Sequence, residues 1–276
     1  YNDLSKIYLL FKTILNSLKK KFFLIAVSGG PDSLALAALS NAYAMNNQCK
    51  MHYVLVDHNL RKNSSEEALL VKKLLKKHKI HLNILKNNKL INKNIQSQAR
   101  EIRYNLITAF CKKKNISTIL TAHNLEDQVE TFFIRLSRGS GLQGLSSMSR
   151  INKINNKITL VRPLLDFKKI QLIKISKVIF GKYFKDPTNN NTKYLRTRIR
   201  KLKKILEKSG LNYDQIFKSI KNLASSRDSL NLHFNQIFQE VVVNKKNQVT
   251  INLNKFKILK KEMKMRVLSK SLKELN

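Results

Sequence analysis

Cysteine is scarce in this chain of 276 residues, which contains only Cys49 and Cys111 and no tryptophan. The two cysteines lie far apart in the sequence, which excludes a disulfide framework, and no CxxC pair is present to hold zinc or an iron–sulfur cluster. We therefore expect both side chains to be small buried hydrophobic groups.

Long hydrophobic runs are also missing, since no segment approaches the roughly 20 apolar residues needed to cross a bilayer. The start of the chain is an amphipathic stretch without the small-residue cleavage site of a signal peptide. The length and a hydrophobic content of 42% suit a globular protein of one large domain or two unequal ones. We expect a cytoplasmic protein with no membrane partner.

Acidic residues are few: 17 Asp and Glu stand against 54 Lys and Arg, which gives a formal net charge of +37. One interpretation is coding bias, because Lys, Asn and Ile are all over-used, as in an AT-rich genome. The other is a polyanionic partner, since such a surplus attracts phosphate backbones. The two are compatible, and the charge favours nucleic-acid binding without indicating which nucleic acid.

Glycine and proline are rare as well, with seven and three residues, and they are concentrated in a few segments. Five of the seven glycines lie in SGGPDS (28–33) and RGSGLQG (138–144), and the prolines lie in SGGPDS, VRPLL and KDPTN. If compositional drift has removed these residues wherever they were dispensable, the survivors mark backbone positions that require them.

The first half of the chain alternates between strand and helix patterns, which predicts βαβ units and a doubly wound parallel sheet of the α/β class. The predicted strands are 22–27, 51–58, 81–86 and 117–124. The predicted helices are 31–45, 64–78 (with a serine cap), 94–114 and 125–138.

A different pattern begins near residue 150. It predicts a hairpin with an Asn-Asn turn or an extended segment over 151–165, helices at 167–180 and 194–208, and then a mainly helical region with one short strand at 247–253. We place a domain boundary near Ser209–Gly210. This gives a larger domain, 1–210, and a smaller, basic, mainly helical one, 211–276.

Polar clusters follow three of the predicted strands: SGGPDS, DHN (57–59) and AHN (122–124). Ligands of open α/β sheets bind beyond the carboxyl ends of the strands. We therefore expect the three clusters to converge on one crevice.

The first cluster joins a buried strand to a helix and has the composition of an anion-binding turn. Glycines allow a sharp turn that points consecutive amides at an anion, and the next helix adds its unpaired donors. An aspartate at such a site requires a cation, so we assign it to Mg²⁺. The motif is no Walker loop, because no GK[ST] follows, and a plain tight turn is the alternative. Its residues are Ser28, Gly29, Gly30, Pro31, Asp32 and Ser33.

SGGPDS resembles the PP-loop of the N-type ATP pyrophosphatases, which adenylate a substrate by cleaving ATP between its α- and β-phosphates. Over residues 22–200 the order of motifs is similar to that of the tRNA(Ile)-lysidine synthetase family. Two positions depart from the family pattern, since Asn124 and Glu126 stand where His and Asp are expected. The further motifs are LVDHNLRKNSSEEA (55–68), QAREIRYNL (98–106), TAHNLEDQVETFFIRLSRGSGLQGLSSM (121–148), RPLL (162–165) and DPTNNNTKYLRTRIR (186–200).

The resemblance implies a ligase that uses ATP and Mg²⁺ to attach L-lysine to the wobble cytidine of an isoleucine tRNA with a CAU anticodon. In the first step the cytosine C2 oxygen attacks the α-phosphorus and pyrophosphate leaves. In the second, the lysine ε-amine displaces AMP at C2. Residues 1–210 would be the catalytic domain and 211–276 would bind another part of the tRNA through phosphates. The oligomeric state stays open, with a homodimer among the alternatives.

Under this resemblance the polar residues receive roles. Asp32 would hold the metal, and the amides of the turn would bind pyrophosphate. Arg103 or Arg100 would bind a phosphate. Asp127 and Glu130, which lie three residues apart on one helix, would hold the lysine ammonium. His123 at the strand end would accept a proton, and a purely structural role is the alternative for this histidine. The nucleotide would also contact Asp57 and His58.

Arginines after these motifs are candidates for tRNA contacts, although a solvated surface is the alternative for each. Arg135 and Arg138 precede the glycine-rich segment and would guide the anticodon backbone. Arg196, Arg198 and Arg200 alternate along the start of a basic helix and would hold phosphates or the neighbours of the cytosine.

Three other functions compete with the ligase. A tRNA 2-thiolation enzyme of the same superfamily would need a persulfide cysteine or a cluster. A non-catalytic basic RNA-binding protein would not need Asp32 or the acidic pair. An amidotransferase-type synthetase acting on a small acid would need neither RGSGLQGL nor a basic tail.

Overall fold

The computed structural model describes residues 2–60, 63–87, 95–184, 192–245 and 248–275, so that the DPTNNN motif (186–191) lies outside the described residues. The elements, in chain order, are α1 (Asn2–Ser17), β1 (Phe22–Ala26), α2 (Pro31–Asn46), β2 (Lys50–Asp57), α3 (Ser64–Lys77), β3 (Leu82–Lys86), α4 (Ile95–Lys113), β4 (Thr118–Leu120), α5 (Leu125–Leu136), α6 (Leu142–Leu145), β5 (Ile151–Lys153), β6 (Thr159–Val161), α7 (Lys169–Phe180), α8 (Leu195–Lys208), α9 (Tyr213–Val241), β7 (Val242–Lys245), β8 (Gln248–Ile251), α10 (Leu253–Lys257) and α11 (Lys261–Leu275).

Six strands form one sheet in the order β3-β2-β1-β4-β6-β5. The pairs β2–β3, β1–β2, β1–β4 and β4–β6 are parallel, and β5 joins the edge antiparallel to β6. The predicted α/β class and the predicted hairpin after residue 150 are confirmed. The strand order places the ends of β1 and β4 side by side, and β2 lies on the other side of β1.

Strand β1 is buried on both faces because helices cover the sheet from both sides. Phe23 and Ile25 pack in one apolar cluster with α1, α2, α3 and α7, whereas Leu24 packs in a second cluster with Ile107 of α4. Neighbouring residues of a strand point to opposite faces, so a strand covered on both sides is apolar throughout. This explains why FFLIA reads as a continuous hydrophobic run.

The start of α2 agrees with the sequence prediction, whereas the start of α3 does not. Pro31 stands at the first position of α2, after Gly30 with extended φ and ψ of −71° and 164°, as expected for proline. The serine cap predicted for α3 is wrong: its N-cap is Asn63, which makes no side-chain cap. The hydroxyls of Ser64 and Ser65 instead donate to Asp57.

The chain divides into two compact units, residues 1–134 with 148–217 and residues 135–147 with 218–276. The second unit has its own apolar cluster, which includes Phe234, Phe238 and Val267. It also contains an antiparallel hairpin of β7 and β8, of which the sequence predicted only the second strand. The functional boundary placed at residue 210 stays a prediction. In the part of the chain that the structure describes, no helix combines the length and the apolar character needed to span a membrane.

Candidate active site at the carboxyl ends of β1 and β4

The SGGPDS turn (residues 28–33) has a backbone that only glycine accommodates at one position. Gly29 has φ +84°, and a Cβ there would lie 2.5 Å from Cγ2 of Val71. At Gly30 the nearest atom to a Cβ would be 3.8 Å away. The two glycines therefore differ: Gly29 is required by the protein's own packing, whereas Gly30 leaves open space beside the turn.

Two serines hold the turn together from within. Ser33 donates through Oγ to the Gly30 carbonyl at 3.0 Å, and the amide of Ser28 donates to Ser33 Oγ at 3.0 Å. The hydroxyl of Ser28 lies 3.1 Å from the same oxygen. Because Asp32 and Ser33 belong to the first turn of α2, their amides have no acceptor within the helix. The turn thus presents amide donors on a rigid backbone, which is the arrangement that an anion requires.

Asp32 has one carboxylate oxygen that faces a lysine and one without a hydrogen-bond partner. Lys169 Nζ lies 4.0 Å from Oδ2, and both the charge of Lys169 and the side chain of Asn124 lower the pKa of Asp32. Its Oδ1 is buried and has no hydrogen-bond partner among the described residues. Burial raises the pKa of Asp32 to about 6, against the opposing charge of Lys169. An unpaired buried carboxylate oxygen is a donor suited to a hard cation, so Asp32 fits Mg²⁺.

A metal at Asp32 would need ligands beyond the protein. Among the described residues no group of three or more His, Cys, Asp or Glu side chains could hold a metal ion. Mg²⁺ is usually bound by one or two carboxylates with phosphate oxygens and waters completing the shell. The donor set therefore suits a magnesium ion that arrives with a phosphate compound.

Asn124 caps the first turn of α5 and lies near Asp32. The Asp127 amide donates to Asn124 Oδ1 at 3.0 Å, and the Asn124 amide donates to Asp127 Oδ2 at 3.1 Å. This reciprocal pair is a capping arrangement at the helix start. The side chain of Asn124 also lowers the pKa of Asp32, so residues of the AHN and SGGPDS clusters lie close to each other. One of the two departures from the family pattern thus has a defined structural role.

Two carboxylates of α5 face arginines of α8. Arg200 donates from Nε to Glu130 Oε1 at 2.5 Å, and Arg196 Nε lies 3.4 Å from Oε2. Arg200 Nη2 also lies 3.6 Å from Asp127 Oδ1. Burial raises the pKa of Glu130, while the hydrogen bond from Arg200 opposes that change. Arg198, two residues from either arginine, lies on the exposed side of α8, as helical periodicity requires.

His123 follows β4 and is held next to its own strand. Its Nδ1 lies 3.0 Å from Thr121 Oγ1. Burial lowers the pKa of His123 to about 4, and the charges of Arg162, Arg196 and Arg100 lower it further against that of Asp127. The imidazole is therefore neutral at physiological pH, with one ring nitrogen able to accept a hydrogen bond.

The DHN cluster is engaged in internal contacts. Asp57 accepts hydrogen bonds from Ser65 (2.6 Å), Ser64 (2.8 Å) and the Asn59 amide (3.0 Å). Burial alone would raise the pKa of Asp57, but these hydrogen bonds together lower it. The carboxylate thus fixes the start of α3, and its predicted nucleotide contact stays a prediction.

His58 and Arg103 form a pair across the sheet edge. Arg103 donates from Nε to His58 Nε2 at 3.4 Å. Burial lowers the pKa of His58 to about 4, and the charge of Arg103 contributes. A neutral His58 accepts from the guanidinium and orients it, which brings together two residues that the sequence singled out for separate roles.

The remaining arginines have different surroundings. Arg100 lies 5.0 Å from the centre of the Tyr104 ring on α4 and is exposed. Arg135 donates from Nη1 to the carbonyls of Gly144 (2.7 Å) and Ser147 (2.8 Å), which shapes the glycine-rich segment. Arg138 is exposed and lies two residues beyond the end of α5. The tRNA contacts assigned to these side chains stay predictions.

Sequence reasoning missed the basic residues that face the acidic start of α5. The Lys169 amide donates to Glu126 Oε2 at 2.8 Å, and Lys203 Nζ lies 3.8 Å from Oε1. Glu126 is the second departure from the family pattern, and its extra methylene serves both contacts. No sequence signal separates Lys169 or Lys203 from the many other lysines of so basic a chain.

Comparison with known proteins gives a family model, curated relatives and a solved structure that are similar to this chain. A family model described as the PP-loop domain matches residues 4–207. The chain is similar to the tRNA(Ile)-lysidine synthase of Wolbachia pipientis wMel, with 36% identity over 275 residues, 96% of this chain and 62% of the relative. It is also similar to that of Orientia tsutsugamushi (strain Boryong), with 42% identity over 181 residues, 65% of this chain and 41% of the relative.

A solved structure with a similar fold is the U34-tRNA thiolase NcsA from Methanococcus maripaludis. The TM-score is 0.66 at 17% sequence identity, over 80% of this chain and 79% of the other. At this identity the likeness shows the fold alone. The chain spans less than two thirds of the length of the two curated relatives described above.

Proposed function

Because the chain belongs to the PP-loop domain family, we propose that it uses ATP to attach lysine to the wobble cytidine of an isoleucine tRNA with a CAU anticodon. The resemblance to tRNA(Ile)-lysidine synthetases that the motifs indicated is confirmed by the two curated relatives. The observation that carries the proposal is the meeting of Asp32, with its unpaired buried oxygen, and the acidic start of α5 at one edge of the sheet.

The SGGPDS turn would bind the phosphates of ATP. Its amides and the first turn of α2 supply donors, and the space beside Gly30 allows a phosphate to approach the backbone. Asp32 would hold Mg²⁺, which supplies charge neutralisation at the phosphates when bound. Adenylation of the cytosine C2 oxygen would release pyrophosphate, and the fixed donors of the turn would stabilise the charge that develops on it.

The acidic start of α5 would receive the lysine. Asp127 is the more accessible carboxylate, since its side chain is 16% exposed against 4% for Glu130. We therefore assign the ammonium contact mainly to Asp127, whereas Glu130 keeps Arg200 in place. The amine must lose its proton before it displaces AMP at C2. The neutral His123 lies at the neighbouring strand end as a hydrogen-bond acceptor for the incoming amine.

The surplus positive charge would bind the tRNA. The exposed side of α8 carries Arg198, Lys201, Lys204 and Lys208, which suits contacts to a phosphate backbone. The basic region 211–276 would bind a further part of the tRNA.

A sulfur-transfer function is the second candidate, since the structure of similar fold is a tRNA thiolase. The two cysteines argue against it. Cys111 is fully buried, and burial raises the pKa of its thiol to about 12. Cys49 is only partly buried, so the prediction that both cysteines are buried is wrong for it, but burial also raises the pKa of its thiol. Both shifts disfavour the thiolate that a persulfide carrier needs.

Incorporation of labelled lysine into RNA tests the proposal. The protein is incubated with ATP, Mg²⁺, labelled L-lysine and an unmodified CAU-anticodon isoleucine tRNA transcript, and acid-precipitable label is counted. We expect label that depends on ATP and is lost when the anticodon is changed to GAU. Modification of the transcript only with a sulfide donor, or ATP binding without label, would remove the proposal.

A variant of Asp32 separates chemistry from RNA binding. Asp32→Ala should abolish formation of AMP and pyrophosphate while retention of tRNA on a filter stays near that of the unaltered protein. Loss of retention as well would show that the role assigned to Asp32 is wrong.

A further inference from the structure

Lys169, the first residue of α7, is the cation that faces Asp32. Its Nζ lies 4.0 Å from Asp32 Oδ2, and its side chain is 39% exposed. Neither the SGGPDS motif nor the other motifs of the sequence include this residue. Its position beside the carboxylate assigned to Mg²⁺ raises the question of what the ammonium does there.

Helix α7 is tied to the SGGPDS turn at several points, which fixes where Lys169 stands. Ser176 donates through Oγ to the Pro31 carbonyl, and beyond the end of α7 the Phe184 amide donates to the Gly29 carbonyl at 3.0 Å. At the start of α7, the Lys169 amide donates to Glu126 Oε2. These hydrogen bonds anchor the backbone of α7 beside the turn, with Lys169 at the end that faces Asp32.

The other basic side chains of the site are closer to their acidic partners. Arg200 lies 2.5 Å and Arg196 3.4 Å from Glu130, and Lys203 lies 3.8 Å from Glu126. Lys169 makes the longest of these ion pairs, with one partly accessible carboxylate oxygen as its partner. A positive side chain at the first position of a helix is also unfavourable with respect to the helix dipole. Helix stability therefore does not explain this lysine.

The position of Lys169 beside the turn, its long side chain and its positive charge together indicate an anionic ligand. We propose that Lys169 binds the β- or γ-phosphate of ATP, exchanging its long contact with Asp32 for a direct contact with a phosphate oxygen when the nucleotide enters. The inference rests on the proposed use of ATP, and it adds a substrate contact from α7 to those of the turn. In the absence of nucleotide, the same ammonium partly neutralises Asp32.

The neighbouring lysine provides a matched control. Lys168 Nζ lies 2.6 Å from Asp214 Oδ2, and both side chains of that pair are about half exposed. Lys168→Met and Lys169→Met remove the same charge from adjacent positions. The two substitutions therefore change the net charge of the protein equally, but only Lys169→Met removes a positive charge next to Asp32.

Binding of MgATP and of AMP, measured by equilibrium dialysis without tRNA or lysine, tests the proposal. Lys169→Met should weaken MgATP binding roughly tenfold to a hundredfold, the usual range for one hydrogen bond to a charged group. AMP, which lacks the β- and γ-phosphates, should bind with less than about a twofold change, and Lys169→Arg should restore most of the MgATP affinity. Lys168→Met should leave both affinities unchanged.

Several results would overturn the inference. Equal losses in the two Met variants would mean that only net charge matters, and equal losses for MgATP and AMP would mean a structural effect. Unchanged MgATP binding by Lys169→Met would show that Lys169 does not contact the nucleotide. If that variant does not fold, Lys169→Gln is measured in its place. If the unaltered protein binds MgATP but incorporates no lysine, the proposed function fails while this inference stands.

Discussion

Arg200 donates a hydrogen bond of 2.5 Å from Nε to Oε1 of Glu130, and so joins α8 to α5 across 70 residues of sequence. The carboxylate is almost fully buried, with 3% of the residue exposed. A buried carboxylate requires a charged partner, and the arginine supplies it. One of the two carboxylates that the sequence assigned to the lysine substrate is thus already neutralised within the protein.

Neutralising Glu130 should destabilise the protein. Glu130→Gln keeps the shape but removes the acidic partner of Arg196 and leaves Arg200 only its 3.6 Å contact with Asp127. We expect this loss to outweigh the relief of a buried charge, so that the free energy of unfolding falls by about 1–3 kcal/mol. Chemical denaturation at pH 7.5 measures it. Glu207→Gln is the control, because Glu207 is 46% exposed and pairs with Lys203 at 3.9 Å, and such pairs contribute about 0–1 kcal/mol. Equal stability of Glu130→Gln and the unaltered protein would contradict the role of Glu130 as the acidic partner of Arg200.

Asp32→Asn should make the nucleotide-free protein more stable above pH 6. The pKa of Asp32 is raised from 3.8 to about 6, so between these values the folded state holds a proton that the unfolded state releases. Its contribution to stability therefore falls as pH rises through this window. Asp32→Asn has no charge to bury at this position, so we expect its free energy of unfolding at pH 7.5 to exceed that of the unaltered protein by about 1–3 kcal/mol.

The pH dependence provides the check on that assignment. The difference in unfolding free energy between Asp32→Asn and the unaltered protein should shrink from pH 7.5 to pH 4.5, because both then carry a neutral group at this position. A difference that is constant across this range would show that burial of the charge is not its cause.

The two glycines of the turn should respond differently to alanine. In Gly29→Ala the new Cβ meets Val71 at 2.5 Å and the backbone keeps φ +84°, so we expect a loss of about 2–4 kcal/mol. Gly30→Ala adds a Cβ with no atom nearer than 3.8 Å and should change stability by less than about 1 kcal/mol.

Ligand binding then separates structure from function at the same two positions. Gly30→Ala should retain the fold but bind MgATP more weakly, because its methyl group occupies the space beside the turn. Thermal melting and dialysis of MgATP measure the two effects. Tight MgATP binding by a folded Gly30→Ala variant would argue against approach of a phosphate from this side.

Asp57→Asn should weaken the start of α3. Asp57 is 3% exposed and its pKa is lowered, so its contribution to stability is present above the ordinary aspartate pKa of about 3.9 and is lost as pH falls below it. We expect a loss of about 1–3 kcal/mol at pH 7. Asp228→Asn, at a side chain that is 65% exposed, should cost almost nothing. A loss for Asp57→Asn that persists unchanged at pH 3 would contradict the electrostatic origin.

The fold could be predicted because its signals are local. The continuous apolar run of β1 and the strand–helix alternation that follows indicate a parallel sheet without further information. Strand β7 was missed because its valines continue directly from α9, so that the apolar pattern shows no break between the two elements.

The site could be predicted only in part, because its pairings depend on folding. Asp32 stands out by its glycine-rich context, but Asn124, whose side chain lowers the pKa of Asp32, is 92 positions away in the sequence. Ser64 and Ser65 suggest a helix cap, although their partner is a carboxylate on the preceding strand. Glu130 stands on the same face as Asp127, but only the position of α8 shows that Arg200 is its partner.

The burial of β1 has a consequence for how the protein opens. Flanked by β2 and β4 and covered on both faces, the strand should contain some of the last amide hydrogens to exchange with solvent. The SGGPDS turn begins two residues after that strand ends, so we expect the proposed nucleotide site to unfold only together with the strand. We expect MgATP affinity to persist on heating until the whole first unit unfolds, rather than to fade beforehand.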